Sequence, residues 1–409
     1  MMTTTDRHGW ERPKHVPETL VVDFDLYNVL GANDDPQAAF LSVQRNSPDI
    51  FWTPHNGGHW VATRAEDVDA MLRDPARFSS ERVFLPRDDN TPQTLPTESD
   101  GSRHADLRKP LTRALMTQVV AQMEPRVRQL ARDLVDRVIA KGQCEFVAEF
   151  ANVMPMHIFL DLVDLPHEQL HSFLPPVEAF IKGGTREARH EAQMLIYQQI
   201  SEVVRARREN PGEDLASIVV NCKVGGERIS VEEANAYMTL VLLGGLDTIA
   251  AVLSHIAHFL AVSPVHRRQL VDRLDDEMFM KSAMEELFRR FGIVNSARIV
   301  KQDIIFNGVQ FLENDTVLPI NMLYGLDERR VDDPLAVDFS RGGAGRHLIF
   351  GAGPHTCPGA TLARREVMIF LDEWLRRIPE FSLKAGTKPV GHTGVTCSLD
   401  ALYLTWPTA

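Results

Sequence analysis

Apolar residues recur at helical spacing through much of the first half of the chain. The repeating positions are Leu107, Leu111, Leu115, Val127, Leu130, Leu134 and Val138. A period of three to four residues is typical of helices that bury one face. The pattern predicts helices over residues 102–225. We expect a break within residues 173–184, where Pro175 and Pro176 precede Gly183 and Gly184.

The longest apolar stretch predicts one central helix over residues 230–263. Ser230 and Glu233 have the spacing of a capping box at its start, and Pro264 follows its end. At about 1.5 Å per residue, such a helix is about 50 Å long, enough to cross the molecule. Asp247 is the only charged residue between positions 240 and 253. We therefore expect a helix that is buried on all sides rather than a membrane span.

Shorter segments predict a fold that is mainly α with small β-sheets. Helices are expected over residues 36–47, 66–72, 275–291 and 360–378, and strand-like runs lie at 50–53, 58–63, 303–306, 308–311, 381–383 and 401–406. The β portions therefore fall near residues 48–64, 299–319 and 381–406. Residues 78–101 contain three prolines and little period, which predicts a long loop. Residues 1–35 and 331–345 are expected to be irregular.

Composition and charge narrow the classes of function. The chain has 409 residues and a formal net charge of −12, which argues against nucleic acid as the main partner. Its four cysteines are Cys144, Cys222, Cys357 and Cys397, and this scattered spacing argues against structural zinc and a disulfide framework. The N-terminus lacks an apolar leader. We expect one domain over residues 1–409, in the cytoplasm and without a membrane anchor.

The stretch 350–359 carries the strongest chemical pattern. Three glycines and two prolines surround Cys357, directly before the predicted helix at 360–378. Glycine and proline predict a bent loop, and the N–H groups and dipole at a helix N-terminus favour a thiolate. An inert buried cysteine is the ordinary interpretation of a lone cysteine. The local pattern leaves a nucleophile, a redox thiol and a metal ligand open.

Three other groups of polar residues and glycines have a role that depends on their surroundings in the fold. Gly244 and Gly245 lie in the central helix, where each glycine costs about 1 kcal/mol relative to alanine. They favour a ligand lying against the helix beside Asp247 and Thr248, although close packing of two helices is the alternative. The polar residues that could form further groups are Glu286 and Arg289 with Arg341, and His104 and Arg108 with Arg298. Taken singly, each of these is expected to be an ordinary surface residue or ion pair.

In this order, the segments resemble the cytochrome P450 haem-thiolate monooxygenases over about residues 20–406. The matching residues are Phe350, Gly353, His355, Cys357 and Gly359 of the cysteine loop, Glu286, Arg289 and Arg341, and the stretch 244–248. The resemblance implies the cytochrome P450 fold, with haem b between the central helix and the cysteine loop. It implies a haem-dependent monooxygenase that inserts one oxygen atom of O2 into an unactivated C–H bond.

The resemblance also implies the role of each residue. Cys357 would be the axial ligand of the haem iron, and Phe350, Gly351 and Gly359 would frame it. The partners of the haem propionates would be Arg108, Arg298 and His355, with His104 as a further candidate. Asp247 and Thr248 would form an acid–alcohol pair that delivers protons during oxygen activation. The Glu286, Arg289 and Arg341 group would be structural.

Within the family, the likeness is to the soluble bacterial group that includes the camphor hydroxylase. It rests on the stretches 78–81, 242–248, 325–329 and 362–366. The substrate-binding tyrosine of that enzyme is missing, since the corresponding loop at 90–96 has Pro92 or Gln93 in its place. The pocket residues implied by position are Phe84, Thr94, Thr97, Leu240, Leu243, Gly244, Val294, Val395 and Thr396. This mostly apolar set favours a terpenoid or norisoprenoid substrate, such as an ionone-like ketone.

The resemblance implies that electrons come from NAD(P)H through a reductase and a [2Fe–2S] ferredoxin. Arg113, Arg364 and Arg365 are candidate contacts of that ferredoxin, because docking responds to a local patch of charge. Two alternatives are a haem-thiolate peroxygenase that uses hydrogen peroxide and a non-catalytic haem sensor. Asp247 and Thr248 argue against the peroxygenase, which does not need an acid–alcohol pair.

Overall fold

The computed structural model describes residues 3–5, 11–182, 186–343 and 345–408, and helices dominate it. The helices are α1 (Pro36–Asn46), α2 (Ala65–Arg73), α3 (Gly101–Ala114), α4 (Thr117–Ile139), α5 (Val153–Leu162), α6 (Leu170–Lys182), α7 (Arg186–Glu209), α8 (Leu215–Val220), α9 (Val231–Val262), α10 (Pro264–Val271), α11 (Glu277–Arg290) and α12 (Ala360–Arg377). The mainly α fold expected from the sequence is therefore confirmed.

The strands are short and form several small sheets. They are β1 (Thr3–Thr5), β2 (Glu11–Pro13), β3 (Ile50–Thr53), β4 (His59–Ala62), β5 (Phe78–Ser79), β6 (Gln143–Glu145), β7 (Lys223–Val224), β8 (Glu227–Arg228), β9 (Arg298–Val300), β10 (Ile304–Phe306), β11 (Val309–Phe311), β12 (Thr316–Pro319), β13 (Ser382–Leu383), β14 (Val390–His392), β15 (Ser398–Ala401) and β16 (Tyr403–Thr405). The strand-like runs expected at 50–53 and 58–63 form an antiparallel hairpin, in which Ile50 pairs with Ala62 and Thr53 with His59.

The largest sheet joins distant parts of the chain. Its strand order is β3-β4-β12-β9-β5, and β12 runs parallel to β4. A three-stranded sheet of order β13-β16-β6 ties the segment before α5 to the C-terminal region. A separate antiparallel pair, β14 and β15, was not predicted from the sequence. Residues 1–35 are not wholly irregular, because β1 pairs with β2.

The main core lies between α4, α5, α9, α11 and α12. Trp374 of α12 is fully buried there and contacts Phe146 at a ring distance of 5.1 Å and Trp406 at 5.7 Å. Helix α9 is capped as expected, since Ser230 and Glu233 form both hydrogen bonds of a capping box. This helix is long and apolar enough to cross a membrane by length and composition. However, 61% of its most apolar window is buried inside the protein, as in a core helix.

One prediction about the helices is confirmed in part and another is wrong. The expected break within residues 173–184 does not lie at Pro175 and Pro176, because burial of Phe173 and Val177 in a second core cluster stabilises the helix despite the prolines. Helix α6 ends at Lys182 and α7 begins at Arg186, so the segment does separate two helices. Gly183 and Gly184 lie outside the described residues. Helix α9 is not buried on all sides, because Gly244 and Gly245 are exposed in its middle.

Candidate functional site

The cysteine loop is held in shape by glycine and by the backbone. Gly351 and Gly353 both have positive φ angles, of 68° and 66°. A Cβ on Gly353 would lie 2.7 Å from the carbonyl oxygen of Leu72, so only glycine lets the loop pack against the end of α2. The N–H of Cys357 donates to the carbonyl of Phe350 at 2.8 Å. These contacts fix the cysteine just before the N-terminus of α12.

Cys357 is half-buried, directly before α12. Burial raises its pKa, while the backbone N–H groups of Gly359 and Ala360 and the charges of Arg108 and Arg364 act in the opposite direction. The backbone N–H groups at the start of α12 thus favour the thiolate, as expected from the sequence, but within the protein alone desolvation outweighs them. A bound metal ion would reverse this balance, since coordination deprotonates a thiol.

Four cationic or titratable side chains lie near the cysteine loop, and we name them the Arg298 cluster. Its members are His104, Arg108, Arg298 and His355. The rings of His104 and His355 lie 4.0 Å apart. Arg108 is close enough to Cys357 for the two side chains to interact electrostatically. The structure therefore brings together four residues that the sequence places in three separate segments.

The cationic side chains of the Arg298 cluster have few acidic partners to compensate their charge. Arg298 is buried, which lowers its pKa to about 10, and its guanidinium donates only to neutral oxygens of Ser296 and Ala297. Burial also lowers the pKa of Arg108. Among the described residues, neither arginine is ion-paired with a carboxylate. Asp100 is an acid beside the cluster, and its Oδ1 lies 3.4 Å from Nε2 of His355. The cluster thus fits a ligand with one or two carboxylates.

A second group, which we name the Glu286 cluster, comprises Glu286, Arg289 and Arg341. Glu286 is fully buried and accepts from Arg289 Nε at 2.7 Å and Nη2 at 2.8 Å. Arg341 Nε donates to the same carboxylate at 3.1 Å, and the backbone N–H of Asp338 donates at 2.9 Å. The carboxylate therefore ties α11 to the irregular segment after residue 331. The segment from 331 to 343 has no helix or strand, as predicted.

The middle of α9 presents two polar side chains next to the exposed glycines. Thr248 Oγ1 donates to the carbonyl of Gly244 at 2.8 Å, and the helix continues without a break. Asp247 is hydrogen-bonded to Thr396, a residue of the segment between β14 and β15. Burial raises the pKa of Asp247 despite that bond. An acid that retains its proton more readily thus lies beside a hydroxyl, on a helix face that a ligand can approach.

The positions expected to form a substrate pocket all retain some exposed surface. Phe84 is 42% exposed and Gly244 is also exposed. The partly exposed members are Thr94, Thr97, Leu240, Leu243, Val294, Val395 and Thr396. Val294 and Thr396 form a backbone bridge, which brings two of these segments together. The loop before α3 is fixed by buried Glu98, which accepts from the N–H groups of Thr94 and Val83.

The arginines near the cysteine loop differ in how far their charge is compensated. Arg364 donates to Glu285 Oε1 at 2.5 Å and lies 4.5 Å from the ring centre of Phe350. Arg365 lies 3.5 Å from Glu124, while Arg113 is exposed at the end of α3. The sequence interpretation did not include Glu285. Its spacing from Glu286 puts it on a different face of α11, but no local pattern indicates that Arg364 is its partner.

Sequence reasoning also missed the polar face of β14 and β15. His392 Nδ1 lies 3.0 Å from Asp400 Oδ1, and Ser398 Oγ lies 3.2 Å from His392 Nε2. Ser398 and Asp400 are two residues apart, and this spacing places both side chains on one face of a strand. The spacing of Ser398 and Asp400 was the signal in the sequence that could have indicated this polar strand face.

Comparison with known proteins gives consistent results. Residues 143–390 match the sequence profile of the family described as Cytochrome P450. A relative described as probable cytochrome P450 127A1, from Sinorhizobium fredii (strain NBRC 101917 / NGR234), is 33% identical over 404 residues, which are 96% of each chain. The methyl-branched lipid omega-hydroxylase of Mycobacterium tuberculosis (strain ATCC 25618 / H37Rv) is 29% identical over 390 residues, covering 89% of this chain and 90% of that protein.

Two crystal structures share the fold over nearly the whole chain. CYP101J2 superposes with a TM-score of 0.87 and CYP101C1 with a TM-score of 0.89. Each is 34% identical to this chain, and each comparison covers 97% of this chain and 100% of the other. Such agreement in sequence and fold, together with the cysteine loop, shows that the chain belongs to the cytochrome P450 family of haem-thiolate monooxygenases.

Proposed function

We propose that this cytochrome P450 hydroxylates an unactivated C–H bond of a small apolar terpenoid or norisoprenoid, using electrons from a ferredoxin. Family membership supports the monooxygenase reaction. The observation that carries the assignment to these residues is the Arg298 cluster beside Cys357, because buried Arg298 and half-buried Arg108 have no carboxylate partner among the described residues. The proposal treats residues 1–409 as one domain.

The residues present fit haem b. Cys357 would ligate the iron, with Phe350, Gly351 and Gly359 shaping the loop around it. A Cβ on Gly359 would lie 3.7 Å from the Cys357 sulfur, so glycine leaves the sulfur accessible there. Arg108, Arg298, His104 and His355 would bind the propionates. When bound, haem supplies the activation of O2, and its thiolate ligand favours O–O cleavage.

Asp247 and Thr248 would deliver the protons that this reaction consumes. The raised pKa of Asp247 makes its carboxyl a better proton donor near neutral pH than an exposed aspartate. The Thr248 hydroxyl donates to Gly244, and its oxygen can still accept a proton or a hydrogen bond. The pair can therefore pass a proton from Asp247 to a ligand lying against the exposed glycines.

The character of the pocket positions favours a small apolar substrate with one polar group. Phe84, Leu240 and Leu243 offer apolar surface, while Thr94 and Thr97 offer hydroxyls. Tyrosine is absent from residues 90–96, so a ketone oxygen would depend on a threonine or on ordered water for its hydrogen bond. The relative described as a methyl-branched lipid omega-hydroxylase supports hydroxylation of a largely apolar molecule.

The electron donor would dock near the cysteine loop. Glu285 already compensates the charge of Arg364, so exposed Arg113 would contribute more to an acidic [2Fe–2S] ferredoxin than Arg364 would. Arg365, whose pair with Glu124 is longer, would contribute in addition. Electrons would reach the ferredoxin from NAD(P)H through a reductase, in the cytoplasm.

A Thr248→Ala variant tests the assignment of the proton donors. We expect NADH consumption to continue while product per NADH falls at least about tenfold and hydrogen peroxide rises, because a protonating group normally contributes larger factors. Ser254→Ala is the matched control, since Ser254 is on the same helix and makes the same bond to the carbonyl four residues earlier, at 2.7 Å. It should couple electrons to product as the wild type does.

The assay first needs a haem-loaded protein and a bound substrate. The reduced carbon monoxide complex should absorb near the wavelength that names the family, and Cys357→Ser should abolish that band. A spin-state screen with terpenoids and ionone-like ketones then identifies ligands. Product formed with peroxide alone, and none with ferredoxin, reductase and NADH, would contradict the proposed electron route. Binding without any turnover would contradict the enzymatic role.

A further inference from the structure

A small cavity lined by both apolar and polar side chains lies beside the middle of α9. Its volume is about 20 Å3. The polar side chains that line it are Asp247, Asn152, Glu178, Ser398 and Asp400. A buried water needs only about 10–15 Å3 and two to four polar partners. The cavity therefore has room for one water molecule in contact with the carboxyl that is proposed to deliver protons.

The β14–β15 pair links this cavity to solvent. Asp400 lines the cavity and lies 3.0 Å from His392 Nδ1. The side chains of His392 and Asp400 are 35% and 30% exposed, so a proton can reach them from bulk water. Ser398, which also lines the cavity, holds the other ring nitrogen of His392 at 3.2 Å. The histidine is thus fixed between solvent and the cavity.

We propose that His392, Asp400 and the cavity form the route by which protons reach Asp247. The inference rests on the proposed function, in which Asp247 passes protons towards Thr248. Each proton that leaves Asp247 is replaced by one from the cavity water. The Asp400 carboxylate takes a proton from protonated His392 and passes it to that water, and the imidazole then takes a proton from solvent. No electrons move along the route, and every group ends in its starting state.

The opposite wall of the cavity has a different character. Asn152 Nδ2 donates to Glu178 Oε1 at 2.6 Å, which fixes this wall. Among the described residues, the charge of His392 lowers the pKa of Asp247 and the charge of Asp400 raises it. Asn152 thus holds the Glu178 carboxyl, whereas Asp400 on the β14–β15 side pairs with a histidine that reaches solvent, and this geometry favours entry from the β14–β15 side.

The test compares Asp400→Asn and His392→Gln with the wild type, as haem-loaded enzymes with an acidic [2Fe–2S] ferredoxin, its reductase, NADH and a ligand found in the spin-state screen. Glutamine keeps a polar side chain but cannot relay a proton as imidazole does. Both variants should lose turnover by about tenfold or more and show a larger solvent deuterium isotope effect, because proton supply becomes rate-limiting. The spin-state change on substrate binding should stay as in the wild type. Asp400→Glu should restore much of the turnover.

Asp23→Asn is the matched control. It breaks another partly exposed His–Asp pair, in which His55 Nε2 lies 2.7 Å from Asp23 Oδ1 and the histidine is also 35% exposed. This pair belongs to the N-terminal segments and not to the lining of the cavity. Turnover and isotope effect should therefore equal those of the wild type.

A readout independent of turnover is the NMR ring resonance of His392 in the diamagnetic reduced carbon monoxide complex. Asp247→Asn should shift its titration midpoint, and Asp23→Asn should not, because only Asp247 shares the cavity. An unmoved His392 resonance would overturn the route, as would wild-type turnover in both Asp400→Asn and His392→Gln. Loss of turnover in Glu178→Gln alone would also overturn it. If the wild type itself forms no product, the proposed function fails, and the His392 resonance still decides whether the two sites are coupled.

Discussion

The Glu286 cluster and the Arg298 cluster are both buried groups of cationic side chains, but they differ in what compensates the charge. In the Glu286 cluster, one buried carboxylate accepts hydrogen bonds from Arg289 and Arg341, and the remaining guanidinium donors reach backbone carbonyls. In the Arg298 cluster, the two arginines have no carboxylate partner among the described residues. The first cluster is complete within the protein, whereas the second is not.

This difference separates a structural role from a binding role. A buried charge without a partner is unfavourable, so a chain retains one only where something else compensates it. The Glu286 cluster joins α11 to residues 334–338, and its full set of bonds indicates a contribution to folding. The Arg298 cluster lies next to Cys357 and would become compensated only when an anionic ligand binds. Substitutions in the two clusters should therefore have opposite consequences.

Glu286→Gln should have the largest effect. Removal of the carboxylate leaves Arg289 and Arg341 with a buried, uncompensated charge, and breaking such a pair typically lowers the free energy of unfolding by about 3–5 kcal/mol. We expect little folded protein at 37 °C and a much lower denaturation midpoint in urea.

Glu277→Gln is the control for that change. Glu277 is on the same helix but exposed, and it pairs with Lys281 on the surface. Its substitution should leave the denaturation midpoint near that of the wild type, because exposed ion pairs contribute little. Equal midpoints for Glu286→Gln and the wild type would show that the Glu286 cluster is not structural.

Arg298→Gln should have the next largest effect, and on ligand binding rather than on folding. A hydrogen bond between charged groups contributes about 1.5–3 kcal/mol, so haem should dissociate about 10–100 times faster. The haem-free variant should be at least as stable as the haem-free wild type, because an uncompensated buried cation has been removed. Transfer of haem to excess haem-free myoglobin measures the first quantity, and urea denaturation measures the second.

Arg290→Gln is the control for Arg298→Gln, because it removes a buried arginine that does have a carboxylate partner. Arg290 is also buried, but it pairs with Asp35 and donates to the carbonyl of Leu335. Its substitution should lower the denaturation midpoint and leave the rate of haem release unchanged. If Arg298→Gln behaved in the same way, the Arg298 cluster would be structural and its proposed ligand would be wrong.

Much of the fold follows from local pattern. Helix α9 was predictable because Ser230, Glu233 and Pro264 mark its ends and apolar residues fill its length. The course of α6 through Pro175 was not, since burial of Phe173 and Val177 overrides the local preference against proline. The β14–β15 pair was also missed, because its strands are only three and four residues long and β14 contains Gly391.

Some features of the candidate site could likewise be predicted from local sequence, and others could not. The cysteine loop was predictable because its glycines and prolines act on their own backbone. The lack of a carboxylate beside Arg298 could not be predicted, because an absent partner depends on every segment that packs around the site. The contact between Asp247 and Thr396 likewise joins residues 149 positions apart, and nothing in either local sequence indicates it.

The smallest expected effect is on the titration of His104, which belongs to the Arg298 cluster. Burial, the neighbouring His355 and Arg108 lower the pKa of His104 to about 4, so it is neutral at pH 7. This lowered pKa means that the folded haem-free protein loses stability as pH falls from about 6.5 towards 4, because the unfolded chain takes up the proton first.

Haem propionates beside His104 would oppose the neighbouring positive charges and raise its titration midpoint by about one pKa unit, which is about 1.4 kcal/mol. His59 also has a pKa of about 4, mainly through burial, but its neighbours are His55 and Asp25. Histidine NMR titrations with and without haem should therefore move His104 and leave His59 in place. A His104 midpoint that haem does not change would place the propionates away from α3.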